Sequence, residues 1–156
     1  MMLHFLQSFG FGNYVLSVAL FAWLCAQVIK TIINYCLIGH FELERMWGAG
    51  GMPSAHSAFV CSAFIAVAKS EGVRSPMFAF AFILAAIVMY DAMGVRNETG
   101  KQAKLLNHIF SDMQHNGGFV DYKKLKEKVG HTPIEVISGA LLGILIGIFI
   151  PAPSFL

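Results

Sequence analysis

An all-α, polytopic membrane helix bundle is the fold class this sequence predicts, and three observations predict it. Of the 156 residues, 56% are hydrophobic and only 13% charged, with a mean hydropathy of +0.65. A soluble domain usually carries about 25% charge. The charges are clustered, which leaves long uncharged stretches between them. Four of those stretches approach the roughly 20 residues that a helix needs to cross about 30 Å of hydrocarbon. One membrane-embedded domain over residues 1–156 is the expected organisation. A net charge of only +2 gives no reason to expect a nucleic-acid partner.

The first predicted span runs from Asn13 to Leu37. The second, from Ser54 to Lys69, is short and rich in small residues, which suits close helix packing in lipid. The third covers Pro76 to Val95 and the fourth Pro133 to Ile150. Residues 98–128 are too polar to span and predict one or two amphipathic helices in a long loop, broken at Gly117 and Gly118. That loop carries Lys123, Lys124, Lys126 and Lys128, whereas the opposite side has only Lys69 and Arg74 nearby. The excess places the long loops in the cytoplasm and both termini outside. The first basic residue is Lys30, so no cleavable signal peptide is expected. Cys25, Cys36 and Cys61 lie in apolar stretches without metal-ligand spacing and are expected to be small packing residues. Gly139, Gly143 and Gly147 form a stripe that packs a helix closely, either within the chain or on a second copy. Four spans make a thin wall around a polar site, so a homo-oligomer is one expectation.

With this topology, several polar groups converge on one membrane face. In "GGMPSAHSA", Gly50 and Gly51 let the backbone approach a ligand, and Pro53 and Ser54 suit a helix start. Such a helix mouth offers N–H groups and a positive dipole end to a phosphate, with His56 in the first turn. Asp91 and Arg96 stand at the end of the third span, where they either pair with each other or leave Arg96 for an anion. Thr132, Pro133 and Glu135 make a capping box. Glu135 also follows His131 by four residues and could accept its Nδ1 proton, leaving Nε2 bare as a nucleophile or base. Both roles stay open. Lys30, about two turns inside the first span, joins Arg45 and Arg96 as a cationic cup for an oxyanion.

The stretches "GGMPSAHSA", "VMYDAMGVR", "TGKQAKLLN" and "GHTPIEV" resemble the divergent branch of the type 2 phosphatidic acid phosphatase family, related to acid phosphatases and vanadium-dependent haloperoxidases. The parent family carries K-x6-R-P, P-S-G-H and S-R-x5-H-x3-D. Lys30 looks like the first signature, although Arg45 lies too far along to complete it. Pro53-Ser54-Ala55-His56 looks like the second, with alanine for glycine. The third is split: Arg96 ends one segment, and thirty-odd residues later His131 and Glu135 keep the H-x3-acid spacing with Glu for Asp.

The resemblance implies hydrolysis of a phosphomonoester or pyrophosphate head group through a phosphohistidine, with no metal or other cofactor. His131 would attack phosphorus, Glu135 would orient it, and His56 would protonate the leaving oxygen. Lys30, Arg96, Ser54, Gly51 and Arg45 would hold the phosphoryl oxygens, with Asp91, Lys101 and Asn107 in support. The implied substrate is a lipid phosphate, such as phosphatidic acid or phosphatidylglycerophosphate. The implied location is a bacterial cytoplasmic membrane, with the site facing the cytoplasm. Two alternatives remain at this point. One is a catalytically silent relative that acts as a lipid- or phosphate-binding or transport subunit. The other is a metal-dependent membrane enzyme using His56, Asp91, His131 and Glu135.

Overall fold

The computed structural model describes residues 12–38, 51–115, 122–127 and 129–152. Among them the chain is all-helical: α1 (Tyr14–Ile38), α2 (Ala55–Ser70), α3 (Pro76–Met93), α4 (Val95–His115) and α5 (Pro133–Phe149). Local chemistry sets most of the starts. The Asn13 side chain accepts from the Leu16 N–H at α1, and Ser54 and Ser75 cap α2 and α3. At α5 the capping box forms: the Thr132 N–H donates to Glu135 Oε2 (2.9 Å) while the Glu135 N–H donates to Thr132 Oγ1 (3.4 Å). Pro76 and Pro133 follow their caps, where a missing N–H costs nothing.

α2 is the central helix, packed against α1, α3 and α5. Its interior contacts are made by small side chains. Ala19, Ala22 and Ala26 of α1 and Ala55, Ser57, Ala58 and Ser62 of α2 are all buried. Gly139, Gly143 and Gly147 of α5 lie directly on the Ser54 and Ala58 backbone and on Ser62 and Ile65, where a Cβ would collide. The glycine stripe is therefore used within the chain. The large apolar side chains point outward instead: Leu24, Val28 and Ile32 on α1, Phe80, Ile83 and Ile87 on α3, and Ile137, Leu141 and Leu145 on α5. Small residues inside and large ones outside is the distribution expected where the surroundings are as apolar as the core.

By length and composition, two stretches are long and apolar enough to cross a membrane, Tyr14–Leu37 and one within Pro76–His115. α2 and α5 are apolar but shorter, at 16 and 17 residues. About four spans were expected, the second of them short, and the structure has two of full length and two shorter apolar helices. It also corrects the third span. Gly94 ends α3 after Met93, and Arg96 sits in the first turn of a new helix rather than at the end of the old one. The polar stretch forms one helix among the described residues, α4, starting earlier than expected; Gly117 and Gly118 lie outside them.

Beyond α4 the chain returns along it. Asn107 clasps the returning segment at Leu125, Gly100 fits under Glu127 and Val129, and Gly130 presses on Arg96 and Asn97. The His131 N–H then donates to the Ala92 carbonyl (3.1 Å) at the end of α3. At the far end of the bundle, Lys69 Nζ donates to the carbonyls of Gly147, Ile148 and Ile150, and the Tyr14 hydroxyl also donates to Ile150. Those contacts satisfy the orphan acceptors of α5 and place a cation at its negative end.

Candidate functional site

The near end of the bundle gathers the charged and imidazole groups. Lys30 is a full two turns inside α1, yet only 7% exposed. Its aliphatic stem lies 3.5 Å from where a Cβ of Gly51 would stand, and Gly51 has φ +91°. The space there would admit a methyl group; the left-handed backbone is what calls for glycine. The Met52–Pro53 peptide is cis and leads into Ser54.

Ser54 is fully buried and engaged on both sides. Its N–H donates to the Glu135 carbonyl (2.9 Å), tying the mouth of α2 to the first turn of α5. Its hydroxyl oxygen accepts from the Ser57 hydroxyl (3.0 Å) and the Ser57 N–H (3.4 Å). Ser54 was expected among the groups around a phosphate; its own N–H is used to hold two helices together. The N–H groups of Ala55 and His56, the next along the first turn, make none of the hydrogen bonds that tie down Ser54 and Ser57.

His56 and His131 meet at this mouth, with ring centroids 6.3 Å apart and planes at 75°. The two rings differ in surroundings. His56 is exposed, whereas His131 is only 4% exposed and its Nε2 has no hydrogen-bond partner among the described residues. A buried polar atom left bare costs about 1–3 kcal/mol unless something occupies the space before it. Burial holds the His131 imidazole below its ordinary pKa; the Glu135 carboxylate pulls the other way, and the charges of Lys30, His56 and Arg96 reinforce burial. Lys30 and Arg96 also act on His56, so two cations and two imidazoles share one electrostatic neighbourhood.

Arg96 is held by Asp91, Nε to Oδ2 at 2.6 Å, across the Gly94 break. The two do pair, but through Nε alone, and neither Nη nitrogen makes a hydrogen bond among the described residues. Both are partly exposed, so the pair adds about 0–1 kcal/mol and serves chiefly to orient the guanidinium. Glu135 caps α5, and no hydrogen bond joins it to His131 among the described residues. Its effect on His131 is through charge, not through an Nδ1 contact.

Other expected participants fall elsewhere. Lys101 pairs with Glu98 (2.6 Å) further along α4. Asn107 is buried, and its whole amide is committed: Oδ1 accepts from the Leu125 N–H, and Nδ2 donates to the Leu125 carbonyl and to Glu127 Oε1, each at 2.9 Å. Neither stands with the histidines. Arg45 and Gly50 lie outside the described residues. No three of His, Cys, Asp and Glu stand close enough to hold a metal ion among the described residues. The set proposed for a metal enzyme is in fact divided, Asp91 to Arg96 and Glu135 to its cap.

One contributor was missed. Gly130, at φ +84°, lets the returning chain close on Arg96 so that His131 arrives beside it. The glycine immediately before the histidine was the signal. In this way two residues separated by thirty-odd positions in sequence are brought to one place.

Comparison with known proteins agrees in direction. A family profile described as "Divergent PAP2 family" matches residues 11–146. The chain is 39% identical over 147 residues to the "Uncharacterized membrane protein YuiD" of Bacillus subtilis, covering 86% of this chain and 91% of that one. No solved structure matches at a significant level.

Proposed function

The chain belongs to the divergent PAP2 family, and on that premise we propose that it is a membrane lipid phosphatase working through a phosphohistidine. The observation that carries the reading is the bare, buried Nε2 of His131 on a ring that shares its neighbourhood with His56, Lys30 and Arg96. Nε2 attacks phosphorus, the bond to the leaving oxygen breaks, and His56 gives that oxygen its proton. His56, now neutral, takes a proton from water, which attacks the phosphohistidine and releases phosphate. Lys30, Arg96 and the N–H groups of Ala55 and His56 hold the phosphoryl oxygens as charge redistributes. The low imidazole pKa of His131 keeps the nucleophile unprotonated at neutral pH.

A membrane setting is part of the proposal. Two long apolar helices, a rim of large apolar side chains, and a relative named as a membrane protein support it. A site at the end of such a bundle suits a substrate with a phosphate head and a lipid tail. The lysines of the long loop favour a cytoplasmic face.

The test is release of phosphate from a panel of lipid phosphates by purified protein, with acid-labile label trapped on residue 131. His56→Ala should regain activity on p-nitrophenyl phosphate, whose leaving group needs no proton, and His131→Ala should not. Equal recovery of both variants, or of neither, would overturn the roles. A second reading, binding without turnover, draws on the seclusion of Nε2 and on the commitment of Glu135 to its cap. It predicts lipid-phosphate binding that Lys30→Met abolishes, with no phosphate released.

A further inference from the structure

Away from the histidines, a cavity of about 650 Å³ opens between α4 and the returning segment 122–127. Lys101, Lys104, Lys124 and His108 line it, together with Ser111 and Tyr122. Carboxylates are present as well: Glu98 pairs with Lys101 at 2.6 Å, and Glu127, which lines the cavity, accepts from the Asn107 amide. Lys104 and Lys124 have no carboxylate partner among the described residues, and with three lysines and one carboxylate lining it the cavity keeps a positive excess. Its walls are fixed, since Tyr122 stacks on Phe110 at 4.7 Å and Asn107 clasps Leu125.

The same helix has a second exposed face. Leu105, Ile109 and Met113 recur at helical spacing, are all exposed, and continue to Leu106. Leu105 belongs to both surfaces, lining the cavity while 61% exposed. α4 also begins immediately beyond Gly94 at the end of the apolar helix α3, which puts it at the level of a bilayer surface if α3 crosses one. An anion held beside an apolar strip is the arrangement an anionic phospholipid requires, phosphate in the cavity and acyl chain along the strip.

We propose that the α4 cavity is a second, non-catalytic site that binds the headgroup of an anionic phospholipid through Lys104 and Lys124, with its acyl chain along Leu105, Ile109 and Met113. The site rests on the membrane reading of α3 and not on the histidine chemistry. It lies roughly two turns of helix and more beyond Arg96. A retained lipid there fastens α4 to the surface and so steadies the returning segment that carries His131.

The test uses full-length protein in detergent, with bound phosphatidylglycerol and phosphatidylcholine counted by native mass spectrometry. Lys104→Gln/Lys124→Gln should weaken phosphatidylglycerol retention about 25-fold, roughly fivefold per lysine, with phosphatidylcholine unchanged. His131→Ala should retain phosphatidylglycerol as the native protein does. Glycerophosphoglycerol, the headgroup without tails, should bind too weakly to detect. Native-level retention by the double variant overturns the proposal. So does loss in His131→Ala alone, which assigns the lipid to the histidine site. Equal binding of the tail-less headgroup also overturns it, because the cavity would then take a soluble anion.

Discussion

Replacing Gly130 with alanine tests whether the returning chain positions His131. Two costs arise, and a second glycine separates them. Gly130 and Gly72 share nearly the same backbone, φ +84° and +82°. Alanine in that region costs about 1–2 kcal/mol at either position. At Gly72 nothing lies within 4 Å of the added Cβ, so strain is the whole effect. At Gly130 the Cβ would stand 2.5 Å from the Asn97 amide nitrogen, whereas ordinary contact begins at 3.4 Å, so the chain must retreat by 3.4 − 2.5, about 0.9 Å. His131 is the next residue, and a misplacement near 1 Å costs about 10²-fold in rate. Gly72→Ala should therefore lose about 2–8 °C in Tm, at roughly 2–4 °C per kcal/mol for a chain of this length, and Gly130→Ala at least as much. Only Gly130→Ala should lose about two orders of magnitude in kcat/KM for lipid-phosphate hydrolysis. The assay is phosphate release in mixed micelles beside a thermal melt. If Gly130→Ala hydrolyses within twofold of Gly72→Ala, the returning chain does not set the position of the nucleophile.

Two further outcomes follow from named contacts. His131 is held below its ordinary pKa, chiefly by burial, so the unfolded chain binds a proton that the folded one refuses. Stability is thus fully present above about pH 6.5 and declines as the pH falls through that value, levelling off below the folded pKa, with a slope of at most about 1.4 kcal/mol per pH unit. Melts from pH 8 to 5 should show His131→Asn with the shallower acid decline, and parallel curves would contradict the burial argument. Asn107→Ala removes three hydrogen bonds to the returning segment, each about 0.5–1.5 kcal/mol. Amide exchange at Leu125 should accelerate by roughly ten- to a thousandfold while the global melt moves little, and unchanged protection there would mean that the clasp is not what holds the segment.

The parts legible in the sequence are those written in local chemistry. Ser54, Ser75 and the Thr132–Pro133–Glu135 box are short-range signals, and the helices begin where they stand. The first span, expected from Asn13 to Leu37, is observed as Tyr14–Ile38, because its ends are marked by a change from polar to apolar residues. The partner of the glycine stripe was not legible. A spacing of four defines one face of a helix but not the helix that meets it, and only the structure sets Gly139 and Gly143 on Ser54 and Ala58. Asn107 was equally opaque. Its sequence neighbourhood read as part of a phosphate site, yet its amide is used by a backbone eighteen residues away. Polar inserts carry no hydrophobic period from which such a pairing can be read. Glu135 shows the limit within one residue: the sequence offered it two roles, and the closer hydrogen bond prevailed.

Gly130 touching Asn97 and Arg96 means that the chain leaves the bundle and comes back at almost the same point. Whatever lies between those two points is an excursion that starts and finishes at a single doorway. Excising the detour and joining its ends is a graft the architecture is already shaped to accept.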